Sequence, residues 1–275
     1  LPPDTIPVEL EDSEHTLVKC TTYKKILPLE PEPAPPTNYK QYFNTLEPWE
    51  RQLFIGLNVS IPDDEMAQLL QSGEFLIGSD GSAPDRASFG WMMSKLDGTR
   101  VANCSGPVCG RKPISFRAES YGILSALRFV VRFLQYTNTP MQGSYSHLTD
   151  AKSVLDRLDT VSTHTQCFAN STLEPEWDVI NEITVTLQSM EHPPTITYEA
   201  GHQDDHKPYH QLSLRAQLNC DADKLAERYL RMTDPHGTPD LDETRVTLLP
   251  NAGAQVDLKS GTVTGKLKRP LTNAS

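Results

Sequence analysis

The stretch Phe75-Leu76-Ile77-Gly78-Ser79-Asp80-Gly81-Ser82 is the most informative part of this sequence. Its first four residues form a short apolar run without charge, which predicts a strand at the centre of a sheet. Asp80 follows closely, and an aspartate in a buried strand is costly unless it is paired or binds a cation. The simplest alternative is an aspartate that ends the strand and caps a turn into Gly81.

The bulk composition limits the classes of function. The chain has 275 residues, 37% hydrophobic and 22% charged, with a net charge of −11. This length is enough for a sizeable core in one large domain or two small ones. The negative charge argues against a protein that grips nucleic acid by itself, because phosphate contacts need Lys and Arg. It is compatible with an enzyme whose acidic residues act through bound cations.

Two further features bear on where the protein works. No apolar run approaches the ~20 residues of a membrane helix, and Leu1-Pro2-Pro3-Asp4 shows no signal-peptide pattern. The five cysteines fit no zinc-binding spacing, so a reducing compartment is the default. We therefore expect an intracellular protein without a membrane partner, and a chain that is an excerpt of a longer polypeptide.

Composition divides the chain into four segments. Residues 1–36 hold eight of the 22 prolines and are expected to form a disordered linker, because proline denies backbone donors and favours extended chain. The aromatic residues within 37–73 predict a helical connector that docks on its neighbours. Residues 74–231 form the main domain, and residues 232–275 are expected to form a C-terminal extension able to make a β-hairpin.

Strands and helices alternate within the main domain. Strands over 75–82, 87–96 and 100–108, joined by short turns, predict an antiparallel meander. A helix over 115–136, a strand over 145–149 and a helix over 151–158 follow. A helix over 175–190, a strand over 195–198 and a last helix complete the domain. The pattern predicts an α/β fold with a sheet flanked by helices.

Acidic residues lie at the edges of these elements. Glu119 falls on the apolar stripe of its helix, where the alternatives to a functional role are an ion pair with Arg117 or Arg128 and simple exposure in the first turn. Asp150 ends the fourth strand where a helix begins, and a helix N-cap is the commonest use of aspartate there. Asp223 lies on the last helix.

The order of strands, helices and acids resembles the ribonuclease H family. The resemblance covers about residues 74–231 and is carried by Ser79-Asp80-Gly81-Ser82, Arg117-Ala118-Glu119-Ser120, Thr149-Asp150-Ala151, Gly201-His202, and Asn219 through Asp223-Lys224-Leu225-Ala226. The variant is similar to the ribonuclease H segments of mobile elements that carry a reverse transcriptase. The resemblance implies a ribonuclease H-like fold with a five-stranded mixed sheet, three strands antiparallel and two parallel.

The resemblance also implies a metal site. Two Mg²⁺ ions, or Mn²⁺ in their place, would be held by four carboxylates, Asp80, Glu119, Asp150 and Asp223. Carboxylate oxygens suit such cations, which activate a water and stabilise the leaving 3′ oxygen of a phosphodiester. The resemblance implies that His202, on a loop with a glycine, assists proton transfer or product departure. Contacts to the substrate are expected from Gly81, Ser82 and Asn219.

The implied function is a metal-dependent endonuclease that cuts the RNA strand of RNA–DNA hybrids, beside the reverse transcriptase part of the same polyprotein. One alternative is a catalytically silent ribonuclease H-like scaffold beside a polymerase, which the intact set of acids disfavours. Another is a strand-transfer enzyme, in which the last helix carries Glu rather than Asp. Asp221, two residues before Asp223, is the alternative fourth ligand.

Overall fold

The structure is a computed structural model that describes residues 15–17, 26–28, 35–110, 113–162, 174–232, 249, 256–258 and 261–263. The chain forms two units, residues 1–37 and residues 38–275. In the first unit, β1 (His15–Leu17) and β2 (Ile26–Pro28) pair as a short antiparallel hairpin. The rest of the expected linker over residues 1–36, apart from residues 35 and 36, lies outside the described residues.

The second unit contains most of the regular elements. In chain order they are α1 (Tyr39–Asn44), α2 (Pro48–Gln52), β3 (Asn58–Val59), α3 (Asp63–Ser72), β4 (Phe75–Ser82), β5 (Ser88–Lys95), β6 (Arg100–Pro107), α4 (Ser115–Thr137), β7 (Ser146–Thr149), α5 (Lys152–Ser162), α6 (Trp177–Ser189), β8 (Thr195–Tyr198) and α7 (Leu214–Met232). Two 3₁₀ turns, Gln203–Asp205 and Tyr209–Gln211, lie between β8 and α7. Near the C-terminus, β9 (Val256–Leu258) and β10 (Gly261–Val263) form an antiparallel hairpin.

The strand predicted from the opening stretch is β4, and it lies inside a six-stranded sheet of order β3-β6-β5-β4-β7-β8. β5 pairs antiparallel with β4 and β6, whereas β7 runs parallel to β4 and β8. The predicted fold class is confirmed: a mixed sheet of antiparallel and parallel strands flanked by helices. The sheet has six strands rather than five, because Asn58 and Val59 of β3 pair with β6.

Helices cover both faces of the sheet around β4. Gly81 faces α4 so closely that an added Cβ would lie 2.3 Å from the Ala118 backbone. Ser82 is paired in register with Ser88, whose hydroxyl donates to the Ala226 carbonyl of α7 at 2.7 Å. Because consecutive residues of a strand face opposite sides, α4 and α7 lie on opposite faces of the sheet at this point.

The predicted connector docks on α4. Its aromatic rings lie against those of the helix, with ring centroids 6.2 Å apart for Phe43 and Phe129 and 5.9 Å apart for Tyr39 and Phe133. These apolar side chains belong to the same buried core as the sheet. Among the described residues, no helix has the length and apolar character needed to cross a bilayer.

Candidate active site

Three of the predicted ligands meet where β4, α4 and β7 converge. Asp80 belongs to β4, Glu119 lies near the start of α4, and Asp150 directly follows β7. One carboxylate oxygen from each residue lies within 4.8 Å of the other two. Opposite ligands of a Mg²⁺ ion with bonds of about 2.1 Å are about 4.2 Å apart. The cluster therefore has nearly the dimensions of a cation site.

Strand register and one glycine bring these three residues together. Gly78 pairs with Leu148 in the parallel β4–β7 ladder, so Asp80 and Asp150, each two residues further on, reach the same level. A Cβ at Gly81 would lie 2.3 Å from the backbone nitrogen of Glu119. Only a residue without a side chain allows β4 to approach the start of α4 this closely.

Burial and mutual repulsion disfavour the ionised forms of these carboxyl groups. Burial, followed by the charges of Asp150 and Asp223, raises the pKa of Asp80 to about 7, although the Gly81 N–H donates to its Oδ1 at 2.6 Å. Burial and the charge of Asp80 raise the pKa of Glu119 well above its ordinary value. Burial also raises the pKa of Asp150. Without a cation, protons would therefore be retained in this cluster near neutral pH.

Two oxygens of the cluster are shielded from solvent and have no hydrogen-bond partner, Glu119 Oε2 and Asp150 Oδ1. The alternative ion pairs for Glu119 do not form. Arg117 binds Glu176 and Asp178 instead, and Arg128 binds Glu182. In the described chain, no Lys or Arg pairs with these oxygen atoms. A divalent cation prefers hard oxygen donors of this kind, so the three residues fit such an ion.

Asp223 lies beside this cluster rather than within it. It projects from α7 with 23% of its side chain exposed, and its Oδ2 is 3.8 Å from Nδ1 of His202. Its charge contributes to the raised pKa of Asp80. His202 is exposed and holds a left-handed backbone with φ of 49°. A Cβ on Gly201 would lie 2.1 Å from Asp150 Oδ2, so this loop touches the cluster directly.

Both carboxylate oxygens of Asp221, the alternative fourth ligand, have partners outside the cluster. Its Oδ2 pairs with Arg100 Nη2 at 2.7 Å, and its Oδ1 accepts from the Tyr209 hydroxyl at 2.7 Å. The sequence left Asp221 and Asp223 as alternatives because they are two residues apart. Arg100 is 121 positions away from Asp221 in the chain, and nothing in the local sequence indicates that the two residues pair.

The three residues expected to contact substrate differ in their accessibility. Gly81 and Ser82 are partly exposed at the end of β4, next to Asp80. Asn219 is fully buried on α7, and both polar atoms of its amide lack a hydrogen-bond partner. The contact of Asn219 with substrate stays a prediction, since its side chain has no solvent access in this structure.

Sequence reasoning missed a buried polar pair beneath the site. The Ser79 hydroxyl and His147 Nε2 are 2.8 Å apart and join β4 to β7. Burial lowers the pKa of His147 to about 3, so its ring is neutral. Both side chains are fully buried, and the pair therefore stabilises the strands that carry Asp80 and Asp150. The available signal in the sequence was the position of Ser79 and His147, two polar residues, inside apolar strands.

Comparison with known proteins gives structural likenesses only. No protein-family model and no curated protein matches the sequence. The N-terminal ribonuclease H domain of a Mycobacterium tuberculosis protein, solved as a fusion with maltose binding protein, is 15% identical; the match covers 58% of this chain and 95% of that one, with a TM-score of 0.39. Ribonuclease H1 from the archaeon Halobacterium salinarum is 18% identical; the match covers 57% of this chain and 97% of that one, with a TM-score of 0.38. The PFV ribonuclease H domain is 21% identical; the match covers 57% of this chain and 94% of that one, with a TM-score of 0.39.

These identities and TM-scores are too low to carry an argument about activity or substrate. The fold rests on the chain's own sheet, in which the three antiparallel strands β4 to β6 continue into the parallel strands β7 and β8, as the sequence predicts. The solved structures that this chain resembles are ribonuclease H domains.

Proposed function

We propose that this protein is a metal-dependent endonuclease that hydrolyses the RNA strand of RNA–DNA hybrids. The observation that carries the proposal is the convergence of Asp80, Glu119 and Asp150 within 4.8 Å, with two shielded oxygens that have no partner. Mg²⁺ is the preferred ion, and Mn²⁺ the alternative, because both accept a set of hard oxygen ligands. Asp223 supplies a fourth carboxylate from α7.

Divalent cations bound at this site would lower the pKa of an attacking water and stabilise the leaving 3′ oxygen of the phosphodiester. The chain's own residues provide the framework for that chemistry. Asp80 and Asp150 are fixed by the β4–β7 register, and Glu119 by the contact of α4 with Gly81. Fixed carboxylates need no rearrangement during the reaction, which is the main source of electrostatic stabilisation in enzymes.

His202 is placed to move protons at the rim of this site. Its ring is 67% exposed and 3.8 Å from Asp223, so it is open to solvent and lies beside the fourth proposed carboxylate. An imidazole in such a position can accept a proton from a reacting group and release it to water. We assign this role to His202 because no other histidine of the described chain pairs with a carboxylate of the site.

The substrate and partner follow from charge and chemistry. A nuclease that cuts one strand of a hybrid must detect the 2′-hydroxyl, since this group distinguishes RNA from DNA. The net charge of −11 disfavours tight binding to phosphates by this chain alone. We therefore propose that a cationic partner, the reverse transcriptase part of the same polyprotein, delivers the hybrid to the site inside the cell.

Cleavage of matched duplexes in Mg²⁺ tests the proposal. The parent protein, Asp80→Asn and the control Asp85→Asn would each be given an RNA–DNA hybrid, duplex RNA and duplex DNA of one sequence. Asp85 is exposed in the turn after β4 and is a matched carboxylate outside the site. We expect the parent and the control to cut only the RNA of the hybrid, and Asp80→Asn to lose about three orders of magnitude in rate, roughly 4 kcal/mol of barrier.

Two results would contradict this function. Equal cutting of duplex DNA and hybrid at the same salt concentration would exclude recognition through the 2′-hydroxyl. Absence of cleavage by the parent, even with the polymerase part supplied and with Mg²⁺ binding measured by calorimetry, would favour the silent scaffold instead.

A further inference from the structure

We propose that Asp204 is a positioning residue that fastens the loop carrying His202 to α7 and thereby sets where His202 lies at the site. The loop is the segment 199–213 between β8 and α7, called here the His202 loop. The role of His202 rests on the proposed function, whereas the fastening itself is a property of the fold that can be measured separately.

Four side-chain contacts join the His202 loop to α7, at three points along the loop. At its beginning, Arg215 Nε donates to Glu199 Oε2 at 3.1 Å. In its middle, Lys224 Nζ and Cys220 Sγ both donate to Asp204, at 2.6 and 3.3 Å. At its end, the Tyr209 hydroxyl donates to Asp221 at 2.7 Å. All these contacts end on the helix that carries Asp223, so loop and helix share one frame.

His202 lies between the first two of these contacts. It keeps a left-handed backbone, with φ of 49°, which a residue with a side chain retains only when its surroundings hold it. On one side, Gly201 packs directly on Asp150. On the other, Asp204 is two residues away and held by two donors. Release of Asp204 would let the backbone at His202 relax and increase the distance between its ring and Asp223.

The contact at Asp204 is suited to hold the loop without being needed for folding. The side chains of Lys224 and Asp204 are 55% and 25% exposed, and ion pairs with that exposure add little to global stability. Lys224 is itself held over the ring of Tyr209, 5.1 Å from the centroid. Loss of the pair should therefore alter the loop and leave the sheet and the three clustered carboxylates in place.

Hydrogen exchange of the loop amides tests the fastening without reference to activity. The amides of Asp205, His206 and Lys207 bond to carbonyls of His202 and Gln203 within the 3₁₀ turn. We expect faster exchange at these amides in Asp204→Asn and Lys224→Met. The control is Glu65→Gln, which breaks the Lys95–Glu65 pair of equal length, 2.6 Å, and comparable exposure, 33% and 43%, elsewhere on the surface. Unchanged exchange in both loop variants would overturn the proposal.

Kinetics on the hybrid then test whether the fastening acts through His202. Asp204→Asn should lower kcat about tenfold, since small misplacements of a catalytic group cost rates of this order, with unchanged Mg²⁺ affinity by calorimetry. His202→Ala should lower kcat on the order of 100-fold, also with Mg²⁺ binding retained. The double variant should equal His202→Ala alone.

The outcomes separate this inference from the proposed function. If the two substitutions multiply, Asp204 acts independently of His202 and the positioning role is wrong. If the parent cleaves no hybrid under any condition, the proposed function fails, while the exchange experiment still decides whether Asp204 fastens the loop. Loss of Mg²⁺ binding in Asp204→Asn would also overturn the proposal, because it would place Asp204 in the metal site.

Discussion

Two groups of carboxylates lie in the interior of this protein, and they differ in whether an arginine accompanies them. The paired acids are Glu50, Glu176, Asp178 and Glu182, which contact Arg117, Arg128 and Arg132. The open acids are Asp80, Glu119 and Asp150, which lie within 4.8 Å of one another. In the described part of the chain, no lysine or arginine forms an ion pair with an open acid.

The paired acids hold helices together. Arg117 is almost fully buried on α4, donates to both oxygens of Asp178 at 2.8 and 2.7 Å, and reaches Glu176 at 2.8 Å. Arg132 donates to both oxygens of Glu50 at 2.6 Å. Bidentate pairs of this kind are the strongest and most directional ion pairs in proteins. They fix α2 and the start of α6 against α4.

The open acids lack this compensation. Burial raises the pKa of each open acid, and neighbouring carboxylates add to the rise for Asp80 and Glu119. A group of acids in the interior is therefore not a functional signal by itself, since four of these seven acids in the described chain only join helices. The informative feature is the missing arginine, because carboxylates held close together without a cation need a ligand to neutralise them.

Removal of the arginine should convert a paired group into an open one, with the largest expected loss of stability. We expect Arg117→Met to lower the free energy of unfolding by about 3–5 kcal/mol, because Glu176 and Asp178 would remain without their shared cation. Urea unfolding of the parent and of Arg117→Met would measure this loss of free energy. The control is Arg157→Met, whose 3.4 Å pair with Glu174 is exposed and should contribute less than about 1 kcal/mol. Equal effects of the two variants would show that burial does not distinguish these pairs.

Neutralising an open acid should have the opposite sign, and the effect should depend on pH. The pKa of Asp80 is raised from 3.8 to about 7 in the metal-free fold, so between these values the folded protein binds more protons than the unfolded chain. The stability that this provides is complete below about pH 4 and is lost as pH rises through about 7. Asp80→Asn does not titrate and should escape this loss.

We therefore expect the stability of Asp80→Asn relative to the parent to increase between pH 4 and pH 8, on the order of 3 kcal/mol. Urea unfolding in a metal chelator at several pH values would measure the difference. A difference that stays constant with pH would mean that Asp80 titrates normally and is not repelled by its neighbours.

The sequence predicted the parts of this structure that depend on short-range patterns. The apolar run before Asp80, the meander over 75–108 and the long helix after Ser115 have clear periodicity and appear as β4 to β6 and α4. β3 was missed because two residues, Asn58 and Val59, are too few to show alternation. The same limit applies to the hairpin of β1 and β2.

The residues of the site also differ in whether short-range patterns predict them. Asp80, Glu119 and Asp150 could be proposed because each lies at the edge of a regular element in a familiar order. The surroundings of Asp221 and Asn219 could not be predicted, since Asp221 pairs with Arg100, far away in the sequence, and Asn219 is completely buried. Helical spacing places residues on a stripe, but it does not identify the residue from a distant strand that faces them.

The smallest predicted effect concerns Mg²⁺, and it tests whether the open acids are a cation site. An ion that binds only the folded protein stabilises it by RT ln(1 + [L]/Kd), about 1.4 kcal/mol at ten times Kd for one site. Thermal melting of the parent should show this gain at pH 8, above the pKa of about 7 of Asp80, and a smaller gain at pH 6, because protons compete with the metal. Asp80→Asn should gain less than the parent at both pH values.

Sodium chloride at equal ionic strength is the control, because it separates Mg²⁺ binding from screening of surface charge. Two results would contradict the cation site: Asp80→Asn responds to Mg²⁺ as the parent does, or Asp80→Asn is unfolded in the absence of Mg²⁺. In either case Asp80 is a structural residue at the end of the strand. The open acids would then differ from the paired acids only in lacking a partner.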